Sequence, residues 1–223
     1  MMPNNESEPH DLDNLRYKEW VRFIFDHPIV SGKRDKEWYF EEAWEFAYKN
    51  AELQAEYVTR LFEKPRFLLK SFTKNQIEQG MWFLFCSQDF LGSLLKNKSL
   101  RFSSKKSLIW SIESLYRKLF RIKEVGLCVN MFWDGLTDSC FDYPIPAMPL
   151  SASDKKIQNE MFLVLGKILG IKKDYIQTAA LHGLGHLQHP KTKWLIEKYL
   201  KEHSNLSEVK VKYARECIAG KMM

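Results

Sequence analysis

Four helix-opening signals follow one another closely in the last third of the chain, and they constrain its architecture more than any other feature. Ser153-Asp154, Asp174, Pro190 and Ser207 each set a capping or first-turn residue ahead of an apolar stripe. The stripes are Ile157, Met161, Val164, Leu165 and Ile168; then Ile176, Ala180, Gly183, Leu184 and Leu187; then Leu195, Ile196, Tyr199 and Leu200; then Val211, Ala214 and Ile218. Gly170 and Gly220 stand where two of these helices should end. Such spacing leaves room only for short turns. Successive helices must then run antiparallel and stack as hairpins.

Upstream the periodicity is also helical, and alternating strand patterns bounded by turn dipeptides are missing. Leu12, Leu15, Val21, Phe23 and Ile24 suggest a helix stopped before Pro28. A long helix is expected over about 35–63, with Ala43, Ala47, Ala51, Gln54, Val58 and Leu61 inward and Glu41, Glu42, Glu45, Glu52 and Glu56 outward. Thr73 is placed to cap a helix through Ile77, Met81, Leu84 and Gln88. After a basic connector over 96–107, the segment 107–125 carries the stripe Leu108, Ile112, Leu115, Leu119 and Ile122. A short helix is expected near 126–136. Three prolines between Tyr143 and Pro149 exclude continuous helix there. The expected division is an irregular helical part over 1–139, a connector over 140–152 and helical hairpins over 153–223, with one continuous solenoid as the alternative.

Composition supports an ordinary folded domain: 45% of residues are apolar and 28% charged, which excludes disorder and a disulfide scaffold. No apolar run approaches the roughly 18–20 residues of a membrane-spanning helix. Cys86, Cys128, Cys140 and Cys217 form no C-x-x-C pair, and no secretory leader pattern is present, so a reducing, cytoplasmic setting is expected.

The run Gln177-Thr178-Ala179-Ala180-Leu181-His182-Gly183-Leu184-Gly185-His186-Leu187, followed by His189-Pro190 and Trp194-Leu195-Ile196, resembles HEAT-like helical repeats of uncharacterised bacterial type. The resemblance covers about 172–221. It implies an α-solenoid fragment and brings no catalytic residues with it. The step from Asp174 to Ser207 is 33 residues, shorter than the roughly 40–47 of HEAT units.

Two constellations invite chemistry. His182, His186 and His189 form H-x-x-x-H-x-x-H, whose first two imidazoles share a helical face. Gly183 stands where the zincin motif needs glutamate, and no carboxylate nearby in sequence completes a ligand set. The preferred reading is therefore structural, with no metal and no cofactor, and the three histidines are retained as alternative ligands. Asp134, Asp138 and Asp142 recur every four residues, but Gly135 and the following prolines argue against a regular helix there.

The second constellation is electrostatic. Residues 1–63 hold 8 basic and 14 acidic side chains, whereas 64–223 hold 26 and 14; the stretch 96–123 has nine bases and one acid. Within it Lys105, Lys106, Arg117, Lys118 and Arg121 are the candidate binding residues, with Phe102, Trp110, Tyr116 and Phe120 nearby. A basic groove in a helical-repeat protein is similar, in fold and charge, to DNA glycosylases acting on alkylated purines. The expected fold is all-α. The expected function is a non-enzymatic interaction protein that binds a protein partner on a concave helical face. Nucleic-acid binding or DNA repair through 96–123 is the first alternative, and a metal-dependent enzyme using the histidines is the second. No membrane association is expected.

Overall fold

Helix dominates the structure, a computed structural model that describes residues 9–29, 38–40, 45–85, 90–122, 126, 128–141 and 150–221. In chain order the helices are α1 (Tyr17–Phe25), α2 (Ala51–Glu63), α3 (Leu68–Ser71), α4 (Lys74–Phe85), α5 (Phe90–Lys96), α6 (Phe102–Leu115) and α7 (Cys128–Phe141). Then come α8 (Ala152–Leu169), α9 (Asp174–Leu187), α10 (Thr192–Glu202) and α11 (Glu208–Ala219). The strand content described is one two-residue parallel pair, β1 (His10–Asp11) with β2 (Phe46–Ala47). The all-α expectation therefore holds. No described helix is long and apolar enough to cross a membrane.

Side-chain caps set several helix starts. Ser151 and Ser207 accept hydrogen bonds from the amides of Asp154 and Lys210, opening α8 and α11, and Thr73 accepts from Gln76 ahead of α4. The left-handed φ of +65° at Gly220 ends α11 as the glycine there promised.

Four sequence expectations are corrected. The long helix over 35–63 is helical only from Ala51. Asn50 caps it by accepting from Leu53, and Asp13 accepts from the amides of Lys49 and Asn50, diverting the chain into β2 just upstream. Glu45 thus precedes β2, while Glu41 and Glu42 lie outside the described residues. Helix α6 starts at Phe102, inside the supposed connector, and continues as a π-helical turn over Tyr116–Phe120. That turn shifts the register, leaving Ile122 57% exposed although it fits the stripe. Helix α7 runs unbroken through Gly135 to Phe141, where a short helix was expected. The penalty of roughly 1 kcal/mol for a helical glycine is outweighed by the burial of Phe132, Trp133, Leu136 and Phe141 around it. The prolines of 143–149, and Asp142, lie outside the described residues.

Side-chain contacts fix the helix directions. Helix α6 runs parallel to α8: Lys156 lies over the Phe102 ring, and one turn on Lys106 pairs with Glu160 at 3.0 Å. Helices α8 and α9 are antiparallel, with Gln158 donating to the Leu187 carbonyl and Gln177 to the Leu169 carbonyl. Helix α11 lies parallel to α9, held by Lys210 to Asp174 at one end and Tyr213 to His182 further along. The most extensive helix–helix interface described is α7 against α9.

That interface is close because α9 is small where it meets α7. A Cβ added at Gly183 would lie 2.6 Å from Cγ of the fully buried Trp133. Gly183→Ala is expected to overpack this contact and cost about 1–3 kcal/mol. Calorimetry should show a melting temperature lower by about 2–10 °C. An unchanged melting temperature would contradict the close approach.

Candidate metal centre

The seating of Gly183 on Trp133 brings the next residue of α7, Asp134, against the residues flanking that glycine on α9. His182 Nε2 lies 2.8 Å from Asp134 Oδ1, and His186 Nε2 lies 3.4 Å from the same oxygen. The two imidazole centroids are 4.7 Å apart, as expected for residues one turn apart on one face. One donor atom from each of the three residues falls within 4.8 Å of the others. Asp134 and His182 are nine-tenths buried and His186 is nearly so.

The geometry within this cluster is unusual for a hydrogen-bonded pair. Although Nε2 of His182 and Oδ1 of Asp134 are 2.8 Å apart, neither atom has a hydrogen-bond partner, because the ring N–H direction does not point at the carboxylate. Both atoms are sealed from solvent. A carboxylate oxygen buried without a donor is costly, and such groups in proteins are paired or coordinate metals.

The outer side of His182 is organised. Its Nδ1 lies 2.5 Å from the Tyr213 hydroxyl, and Tyr213 in turn bonds to Cys217. Burial pushes the Tyr213 hydroxyl far above the ordinary tyrosine range, so it stays protonated. Burial likewise pushes the Cys217 thiol up to about 12, which makes it a neutral sulfur and no thiolate ligand. Nδ1 is thus held by Tyr213, and Nε2 is the ring nitrogen on the Asp134 side. Metal-binding histidines characteristically have one ring nitrogen held in this way while the other meets the ion. Burial also holds the His186 pKa below the usual value, with the His182 ring acting in the same direction and Asp134 opposing, which favours the neutral ligand form.

Spacing matches a small ion. A tetrahedral centre with ligands about 2.0–2.2 Å away holds them about 3.3–3.6 Å apart. The 3.4 Å contact already has that separation, and the 2.8 Å contact needs to open by about half an ångström.

His189 stands apart from the pair with which the sequence groups it. Its Nε2 donates to Asn159 Oδ1 at 2.8 Å, its Nδ1 accepts from the Lys191 amide, and its ring stacks on Phe162 with centroids 4.2 Å apart. Both nitrogens are used, so this is a turn-locking residue. The side chain that the sequence did not group with the two histidines is Asp134. Its signal was the i, i+4 series Asp134/Asp138 beside Trp133, which Gly135 made look unhelical. Asp138 is exposed one turn on, and its pKa is raised by burial and by the charge of Asp134.

The basic candidates are dispersed and mostly engaged. Lys106 pairs with Glu160, Arg117 with Glu113, and Lys118 donates to the Glu63 carbonyl. Trp110 donates to Glu160, and Tyr116 and Phe120 are core. Arg121 is exposed and Lys105 is buried. Part of the acidic helix face answers the chain's own bases, for Glu52 accepts from Arg101 and Ser104. No protein-family model matches the chain, and neither does any curated protein or solved structure.

His189 also yields a pH dependence. Burial, then the Lys191 charge, lowers its pKa, so the neutral form is favoured in the folded state. A histidine with a depressed folded pKa contributes stability that is present above its unfolded value of about 6.5 and is lost as pH falls through the folded value. His186 shifts in the same direction. The melting temperature of metal-free protein should fall between pH 7 and pH 5, and His189→Gln should flatten that fall. A melting temperature that is constant or rises on acidification would contradict this assignment.

Proposed function

We propose that this protein is a helical-stack protein that binds one divalent transition-metal ion through Asp134, His182 and His186. The observation that carries the reading is the buried, unbonded approach of Asp134 Oδ1 to His182 Nε2, which a cation between them would satisfy. Two imidazoles and one carboxylate form a donor set suited to zinc or ferrous iron. Three protein ligands leave a further position for water or a substrate atom, as in metal-dependent enzymes. The alternative of a pure interaction scaffold rests on surface shape, and no comparable convergence of side chains supports it among the described residues.

The expected α-solenoid belongs to the same proposal. Support comes from the packing order, in which α6 lies between α2 and α8 while α9 lies between α7 and α11. Hairpins placed side by side give two such rows.

Chelator-treated protein titrated with zinc in a calorimeter should bind one equivalent with a dissociation constant of about 1 μM or tighter. At a hundredfold excess over that constant, zinc should add about 2.7 kcal/mol of stability, seen as a melting temperature several degrees higher. His182→Ala and Asp134→Ala should each abolish both effects, while His189→Gln should leave them unchanged. Absence of saturable binding, or loss in His189→Gln equal to that in His182→Ala, would overturn the assignment.

A further inference from the structure

The parallel packing of α6 on α8 has an electrostatic consequence at their shared starting end. Both helices begin at one cavity of about 390 Å³, whose walls include Phe102 and Lys105 from α6, Ser151 and Ser153 from the start of α8, Lys96 from the end of α5 and Lys98 just after it. Two helix N-termini therefore converge there, each with first-turn amides that have no intrahelical acceptor and the positive end of a dipole. Ser151 satisfies the amide of Asp154, which leaves the two preceding amides of α8 for another acceptor. Three lysines add positive charge, opposed within the cavity wall by Asp154, whose carboxylate accepts from the Ser151 hydroxyl.

Lys105 is the second, independent observation. It is only 7% exposed, yet its ammonium makes no hydrogen bond or ion pair. Burial lowers its pKa, opposed by electrostatic interaction with Cys140 and Asp154. The stem of Lys105 is buried while its ammonium meets the cavity with no ion pair of its own, the position from which it would hold an anion. Its neighbour in sequence, Lys106, has Glu160 for that purpose.

We propose that this cavity binds the phosphate group of a small phosphorylated molecule or free inorganic phosphate, with Lys105 as the buried anchor and the N-termini of α6 and α8 supplying amide donors. A tetrahedral dianion suits the site because it accepts from several directions at once, and helix N-termini with a nearby lysine are established phosphate cradles. Phe102, 38% exposed on the wall, offers an apolar face to whatever carries the phosphate. Nothing in this site involves the metal ligands, so the two assignments stand or fall separately.

The test is calorimetric titration of full-length, chelator-treated protein in low-salt buffer with inorganic phosphate, adenosine 5′-monophosphate and adenosine. Phosphate or the monophosphate should bind at one site with a dissociation constant of about 1 mM or tighter. Lys105→Met should weaken binding by at least about tenfold, the loss expected for one buried charge-assisted contact. Lys98→Glu, at an exposed position that leaves the core intact, should also weaken it and decides the matter if Lys105→Met fails to fold. Tighter binding of the monophosphate than of phosphate assigns a phosphate ester; equal binding assigns free phosphate. No saturable binding of either, adenosine binding as well as its monophosphate, DNA binding in place of both, or wild-type affinity in Lys98→Glu would each overturn the proposal.

Discussion

The approach of α9 to α7 across Gly183 is the contact on which the rest of the account depends. A backbone can settle directly on an indole only where no Cβ intervenes. Once it does, the residues on either side of the glycine have little freedom. Asp134, next to Trp133, faces His182, next to Gly183, and His186 follows one turn along the same face. Packing of an apolar residue thus decides the positions of three polar ones. The carboxylate is buried because its neighbour is, and the energetic cost of that burial makes a cation the natural complement.

Much of the helical order is legible in the amino acids. Ser207, Thr73 and Gly220 act at the boundaries that their chemistry suggests, and the stripes of α8 and α9 face the core, whereas α11 turns Ala214 and Cys217 inward and leaves Val211 only half-buried. Legibility fails where a distant contact overrides a local preference. Asn50 and Asp13 interrupt what periodicity alone reads as one long helix. The π-helical turn at Tyr116–Phe120 rotates Ile122 out of its stripe. Gly135, a poor helix residue, is carried through by the buried neighbours of α7.

The candidate site was half legible for the same reason. Two histidines four apart on a helix are visible in any reading of the chain, but the carboxylate that meets them lies 48 residues upstream on another helix. His189 attracts attention by proximity in sequence, yet its bonds to Asn159 and Lys191 occupy it fully. Sequence distance and spatial distance part company wherever a hairpin turns. The basic segment shows the converse: Lys106, Arg117 and Lys118 read as a charged patch but are largely answered by Glu160, Glu113 and the Glu63 carbonyl. What stands out is Lys105, a buried residue that lines a cavity and makes no ion pair.

The central claim is that an ion belongs between the carboxylate of α7 and the imidazoles of α9. Diffraction from zinc-loaded crystals on either side of the zinc absorption edge locates such an ion without reference to activity. The account predicts one anomalous peak about 2.0–2.2 Å from Asp134 Oδ1 and from one nitrogen each of His182 and His186. A direct, well-aligned hydrogen bond from His182 to Asp134, with no peak between them in fully zinc-equilibrated crystals, would contradict it.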